Sequence, residues 1–211
     1  METNKIKIDS KGLGREQVLE ETAKFAVYNN LDKKTAYHIR LLAEETLGMV
    51  TAITEDFDAQ FWLETTPDHV CRLHLLAHTY MDYDKEKQLM AVSADGKNIA
   101  VKGFMGRIGQ FIRNALYNVN EIEEANMYYA YDPMLYGATG MMDAESMAIS
   151  SMIYSWSMQQ YQQELEQNKE NNQEAEKAWD ELEKSIVASI ADNVLVGVKG
   201  DTVELIIEKK L

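Results

Sequence analysis

Near the end of the chain Val194, Val196 and Val198 recur at every second position, Gly200-Asp201 interrupts them, and Val203, Leu205 and Ile207 resume the same period. A period of two sets these side chains on one face of an extended strand, and the interruption is short enough for a tight turn. The stretch predicts a terminal β-hairpin with one buried face. Such a face needs a layer laid over it, so the earlier part of the chain must supply helices with apolar sides and the strands that complete the sheet.

It supplies both. Residues 5–9 alternate apolar and polar and predict a half-buried strand, ended by Ser10-Lys11-Gly12. Residues 59–65 and 70–79 predict a second hairpin around Thr66-Pro67-Asp68, in which proline presets φ and Asp68 tolerates the tight conformations that follow. Between these strands Val18, Thr22, Phe25 and Ala26 mark one face of a helix over 15–29. Asp32 is placed to cap a second helix running to about residue 53, with Ala36, Ile39, Ala43, Leu47 and Val50 as its stripe. Further helices are expected at 84–92, before a turn at 94–98, and at 103–117, carrying Phe104, Ile108, Phe111, Ile112 and Leu116 inward. Asp143-Ala144-Glu145 opens a long helix expected to run to about residue 167. The polar stretch 164–176 reads as a solvent-exposed turn or projecting helical hairpin, and a closing helix is expected over 178–190. This order predicts an α+β fold, a two-layer sandwich of a mixed, mostly antiparallel sheet with helices on one face. It forms a single domain over 1–211 with a helical insertion at 118–177.

Composition limits what such a domain does. A chain of 211 residues can build one good core. No apolar run approaches the ~18–20 residues of a membrane span, and residues 1–5 lead straight into Ile6 and Ile8 without a signal-like segment, so neither a membrane nor export is expected. Cys71 is the only cysteine, which excludes an intramolecular disulfide and a thiolate-rich metal site and fits a reducing, cytoplasmic setting. With 35 acidic and 21 basic residues the formal charge of -14 repels nucleic acid. The densest positive stretch, with Lys97, Lys102, Arg107 and Arg113, could serve one small anion but not a duplex.

Three regions, namely Arg40-Leu41-Leu42-Ala43-Glu44-Glu45-Thr46-Leu47-Gly48-Met49-Val50, the hairpin after it, and the closing helix with residues 192–211, resemble the ATPase domain of the histidine-kinase-like (GHKL) superfamily. Within it the likeness is to the small bacterial anti-sigma-factor serine kinases. The resemblance implies ATP as cofactor and puts Glu44 at the family's catalytic glutamate. Gly48 stands where a magnesium-binding Asn is expected, so no metal ligand is carried over. The sequence Ala77-His78-Thr79-Tyr80-Met81-Asp82 stands where the adenine-reading Asp and its glycines belong, and Tyr and Met cannot give glycine's close backbone approach. What is implied is a divergent, regulatory, ATP-binding fold with a protein partner, with ATPase or serine-kinase activity left open.

The residues themselves offer further candidates. Glu44 and Glu45 could do acid–base work, but Arg40 lies one helical turn before Glu44 and an ion pair on a solvated face explains them as well. Lys102, Gly103 and Gly106 open a helix together with Arg107 and Gly109, where free amides could hold a phosphate or carboxylate; close helix packing explains the glycines equally. His74 and His78 share a strand face without a second ligand cluster, so no metal site is expected. Cys71 alternates with Leu73 and Leu75 as a small hydrophobe. The Met and Tyr enrichment over 127–161 reads either as a small second core or as a deformable surface. The second of these gives the alternative function, a non-catalytic protein-interaction module acting through the insertion.

Overall fold

The computed structural model describes residues 1–53, 56–79, 103–124 and 154–211. The helix expected over 84–92, the turn at 94–98 and the Met- and Tyr-rich stretch from 127 as far as 153 lie outside the described residues. In chain order the elements are β1 (Ile6–Asp9), α1 (Arg15–Tyr28), α2 (Lys33–Ile53), β2 (Phe57–Thr65), β3 (Val70–Thr79), α3 (Phe104–Glu124), β4 (Tyr154–Ser157), α4 (Met158–Asn168), α5 (Gln173–Glu183), α6 (Ile186–Ile190), β5 (Asn193–Lys199) and β6 (Thr202–Lys210).

The strands form one sheet in the order β1-β2-β3-β6-β5-β4. Every pairing among the described residues is antiparallel, so the expected parallel component is not found there. The reason lies in β3 and β6, the return strands of the two hairpins. They meet head to tail, from Val70 beside Lys210 to His78 beside Thr202, and join both hairpins into one sheet. The fold is α+β and compatible with two layers. Ile8, Phe61, Leu73, Val196 and Leu205 from one sheet face share a single buried cluster with Phe25 of α1, Leu42 of α2, Ile112 of α3, Leu165 of α4, Leu182 of α5 and Val187 of α6. Removing each large side chain of this cluster from water contributes roughly 1.5–3 kcal/mol.

Local chemistry fixes where the helices begin. The Asp9 carboxylate accepts the amides of Lys11 and Leu13, both at 2.9 Å, which folds the chain back after β1. Gly14 then enters α1 with φ of 76°, and a Cβ there would collide with the Lys7 carbonyl, so two constraints select glycine. Asp32 caps α2 as expected, accepting from the amides of Lys34 at 2.8 Å and Thr35 at 3.2 Å. The buried hydroxyls of Thr22 and Thr46 donate to the carbonyls four residues back, each at 2.7 Å, so neither interrupts the core.

Three further expectations change. Where the helix expected from 143 to about 167 would pass, residues 154–157 form β4 instead, whose Tyr154 and Trp156 stand beside Val198 and Val196 of β5. Its alternating aromatic and serine residues suit a pleated edge, and the free side of β5 offers it hydrogen bonds. A strand therefore lies within the segment 118–177 expected to form a helical insertion. The helix expected over 178–190 is two helices, α5 and α6, broken at Lys184-Ser185. The Ser185 hydroxyl caps α6 by accepting the Ala188 amide at 3.3 Å. The helix expected over 103–117 continues to Glu124. In the turn between β2 and β3 His69 takes a positive φ, at 59°. The polar stretch 164–176 is a helical hairpin, in which Asn172 caps α5 through the amides of Glu174 and Ala175.

Candidate functional site

Glu44 and Glu45 lie midway along α2, which packs its Ile39, Leu42, Ala43, Thr46 and Leu47 into the core. Both glutamates are therefore turned toward the rim of that helix and are only partly buried. The Glu44 carboxylate accepts from Arg40 Nε at 3.1 Å, with the two side chains 39% and 54% exposed. This is the pairing one helical turn apart that the sequence offered. It holds the carboxylate as an ion-pair partner, and a general base in that position would have to leave the guanidinium first. Gly48, one turn further on, has open space where a Cβ would stand.

The second candidate is the start of α3. Lys102 lies outside the described residues. Gly103 precedes the helix with φ of 83° and its carbonyl accepts the Arg107 amide at 3.2 Å, and Gly106 sits partly buried in the first turn. Arg107 turns away from that terminus to Glu181 of α5, with Nε 2.7 Å from the carboxylate. Beside this pair stands an aromatic trio, with ring centres 5.9 Å apart for Phe104 and Trp156 and 5.6 Å for Trp156 and Tyr161. The Tyr161 hydroxyl is buried without a hydrogen-bond partner among the described residues, and that burial raises its pKa. The helix that the glycines open lies in contact with α2.

A third set of residues was not anticipated. The sheet face turned away from the helices carries Trp62, His74, Ile206 and Leu195 side by side on β2, β3, β6 and β5, all buried. The Trp62 and His74 rings stack at 4.6 Å, nearly parallel, and Lys5 Nζ lies 4.2 Å over the Trp62 ring. His74 Nε2 is 3.4 Å from Glu64. Burial pushes the His74 pKa down to about 4; Glu64 acts against this shift, and Arg72 and Lys5 act with it. The next row holds Arg72, whose Nε donates to Glu208 at 3.0 Å. Burial also raises the Glu204 carboxyl above its usual range, with Lys5 opposing. Alternation in residues 71–77 signals two unlike faces, but only the register brings Glu64, Arg72 and Glu208 together.

His78 sits apart from His74 at the end of β3, with Nδ1 3.1 Å from the Thr202 hydroxyl and 3.9 Å from Asp201. No group of three or more His, Cys, Asp or Glu side chains that could hold a metal occurs among the described residues. Cys71 is fully buried, and burial pushes its thiol far above the ordinary range, against any nucleophilic role. No helix among the described residues is long and apolar enough to cross a membrane. No protein-family model, curated protein or solved structure matches this chain.

Proposed function

We propose that this chain is a regulatory binding protein on a histidine-kinase-like ATPase scaffold, anti-sigma-factor-like in working through a protein partner. It takes ATP on the helical side of its sheet without hydrolysing it. The observation that carries the reading is the position of Glu44. It stands at the rim of the helix that spans the core, accessible from solvent, yet its carboxylate is engaged by Arg40 at 3.1 Å. An accessible, neutralised carboxylate fits a binding surface better than the activation of a nucleophile. The glycine at position 48 supports magnesium-independent binding, since it supplies no ligand to a metal.

Calorimetric titration of the intact chain with ATP, with and without magnesium, tests this together with an assay for released phosphate. Saturable binding unaffected by magnesium and no phosphate release are expected, and Glu44→Ala should leave that absence of turnover unchanged. Silence at millimolar ATP removes the nucleotide reading.

Arg107 favours a second reading, a non-catalytic interaction module that needs no nucleotide. Its guanidinium is already held at 2.7 Å by Glu181. The same titration separates the two readings, because only the first predicts ATP binding.

A further inference from the structure

The row next to Trp62 and His74 on the outer sheet face is polar throughout. Register sets Glu64 beside Arg72, Arg72 beside Glu208, and Glu208 beside Asn193, one residue from each of β2, β3, β6 and β5. Neighbouring strands lie about 4.8 Å apart, so acidic, basic, acidic and amide groups succeed one another across the sheet at that interval. The row lines a trough of about 670 Å³, bordered by Asp68 of the β2–β3 turn and by Lys210. Small-molecule sites typically measure roughly 300–1,000 Å³.

Two polar residues of this trough are more than nine-tenths buried, Arg72 at 8% exposure and Asn193 at 7%. Arg72 Nε donates to Glu208 at 3.0 Å, and the Asn193 side-chain oxygen accepts the Gln159 amide at 3.4 Å, which orients the Asn193 amide group. The border differs from the floor. Neither the Lys210 ammonium nor the Asp68 carboxylate has an ion-pair partner among the described residues, although both face the same space.

We propose that this trough binds a small zwitterion, a free α-amino acid, with its carboxylate toward Lys210 and its ammonium toward Asp68, at the border of the floor formed by Arg72 and Glu208. A lone anion meets carboxylates in excess of cations along the lining, and a compact metal ion lacks a ligating cluster among the described residues. An apolar ligand would desolvate the charged floor without compensation. A zwitterion answers both signs of charge within the spacing of one strand to the next. The site lies on the outer sheet face, beside the start of α4, and is independent of the nucleotide reading.

Thermal-shift and calorimetric titration of the intact chain with the standard α-amino acids at millimolar concentration tests the proposal, with acetate and ethylammonium as single-charge probes. At least one amino acid should bind saturably and raise Tm, while neither single-charge probe does. Asp68→Asn and Lys210→Gln, both at the solvent-facing border, should each weaken that binding by about tenfold or more and leave the unliganded Tm unchanged. Binding by no amino acid, equal binding by acetate alone, or unchanged affinity in both variants overturns it.

Discussion

Trp62 and His74, directly opposite each other on β2 and β3, stack their rings 4.6 Å apart and within 2° of parallel. Burial in this setting favours the neutral imidazole and lowers the His74 pKa from 6.5 to about 4. In the unfolded chain the imidazole takes up a proton near 6.5; in the folded chain it does so only near 4. Its contribution is therefore fully present above about pH 6.5 and is lost as pH falls toward 4, up to about 3 kcal/mol in all. Urea midpoints measured from pH 7 to pH 4 should fall more steeply for the natural chain than for His74→Phe, which keeps an aromatic ring against Trp62. Parallel pH profiles for the two proteins would contradict this assignment.

Arg72 and Glu208 hold β3 to β6 at the seam between the two hairpins, with side chains 10% and 18% exposed. Glu208→Ala leaves a guanidinium in that setting without this carboxylate and should destabilise the fold by roughly 3 kcal/mol. Arg72→Met with Glu208→Leu should recover most of the loss, since paired apolar residues avoid the desolvation of both charges. Chemical denaturation of the single and double variants measures the difference.

Much of this architecture was legible in the sequence because it is locally encoded. The alternation in residues 194–198 and 203–207, the cap at Asp32 and the stripe of α2 are each specified by residues close together in the chain. β4 was hidden because Tyr154 to Ser157 is too short to establish a period, and its partner β5 lies well beyond α4 in sequence. The break between α5 and α6 was readable in principle from Ser185, a good helix cap, but the apolar spacing from Trp179 to Ile190 suits a continuous helix equally well. At the candidate site the Arg40–Glu44 pair was visible as a spacing of four. The Glu64, Arg72, Glu208 and Asn193 row was not, because it depends on the register of four strands.

Gly14 should be irreplaceable even by alanine. Its φ of 76° is costly for any residue with a Cβ, by about 1–2 kcal/mol, and that Cβ would also strike the Lys7 carbonyl of β1. Gly14→Ala is expected to lower stability by at least about 2 kcal/mol, whereas Gly12→Ala, at a φ of 92° but in open space, should show only the backbone cost. Comparison of the two unfolding free energies separates collision from conformation.

Asn172→Ala removes the side-chain oxygen that accepts the Glu174 amide at 2.9 Å and the Ala175 amide at 3.4 Å at the start of α5. A loss of about 1 kcal/mol is expected, and Asn172→Asp should be neutral or slightly stabilising because a carboxylate caps a helix start at least as well. Hydrogen exchange at the first amides of α5 gives the local readout.

The seating of β6 between β3 and β5 has a consequence for how the protein is made. It is translated after every other described strand, yet it occupies the interior of the sheet. Until the ribosome releases residues 202–210, the nascent chain carries β3 with one side unsatisfied, a template for pairing with another polypeptide. Synthesis that stalls after β5 would yield an aggregation-prone fragment, so the codons of β6 decide between a closed sheet and a substrate for chaperones.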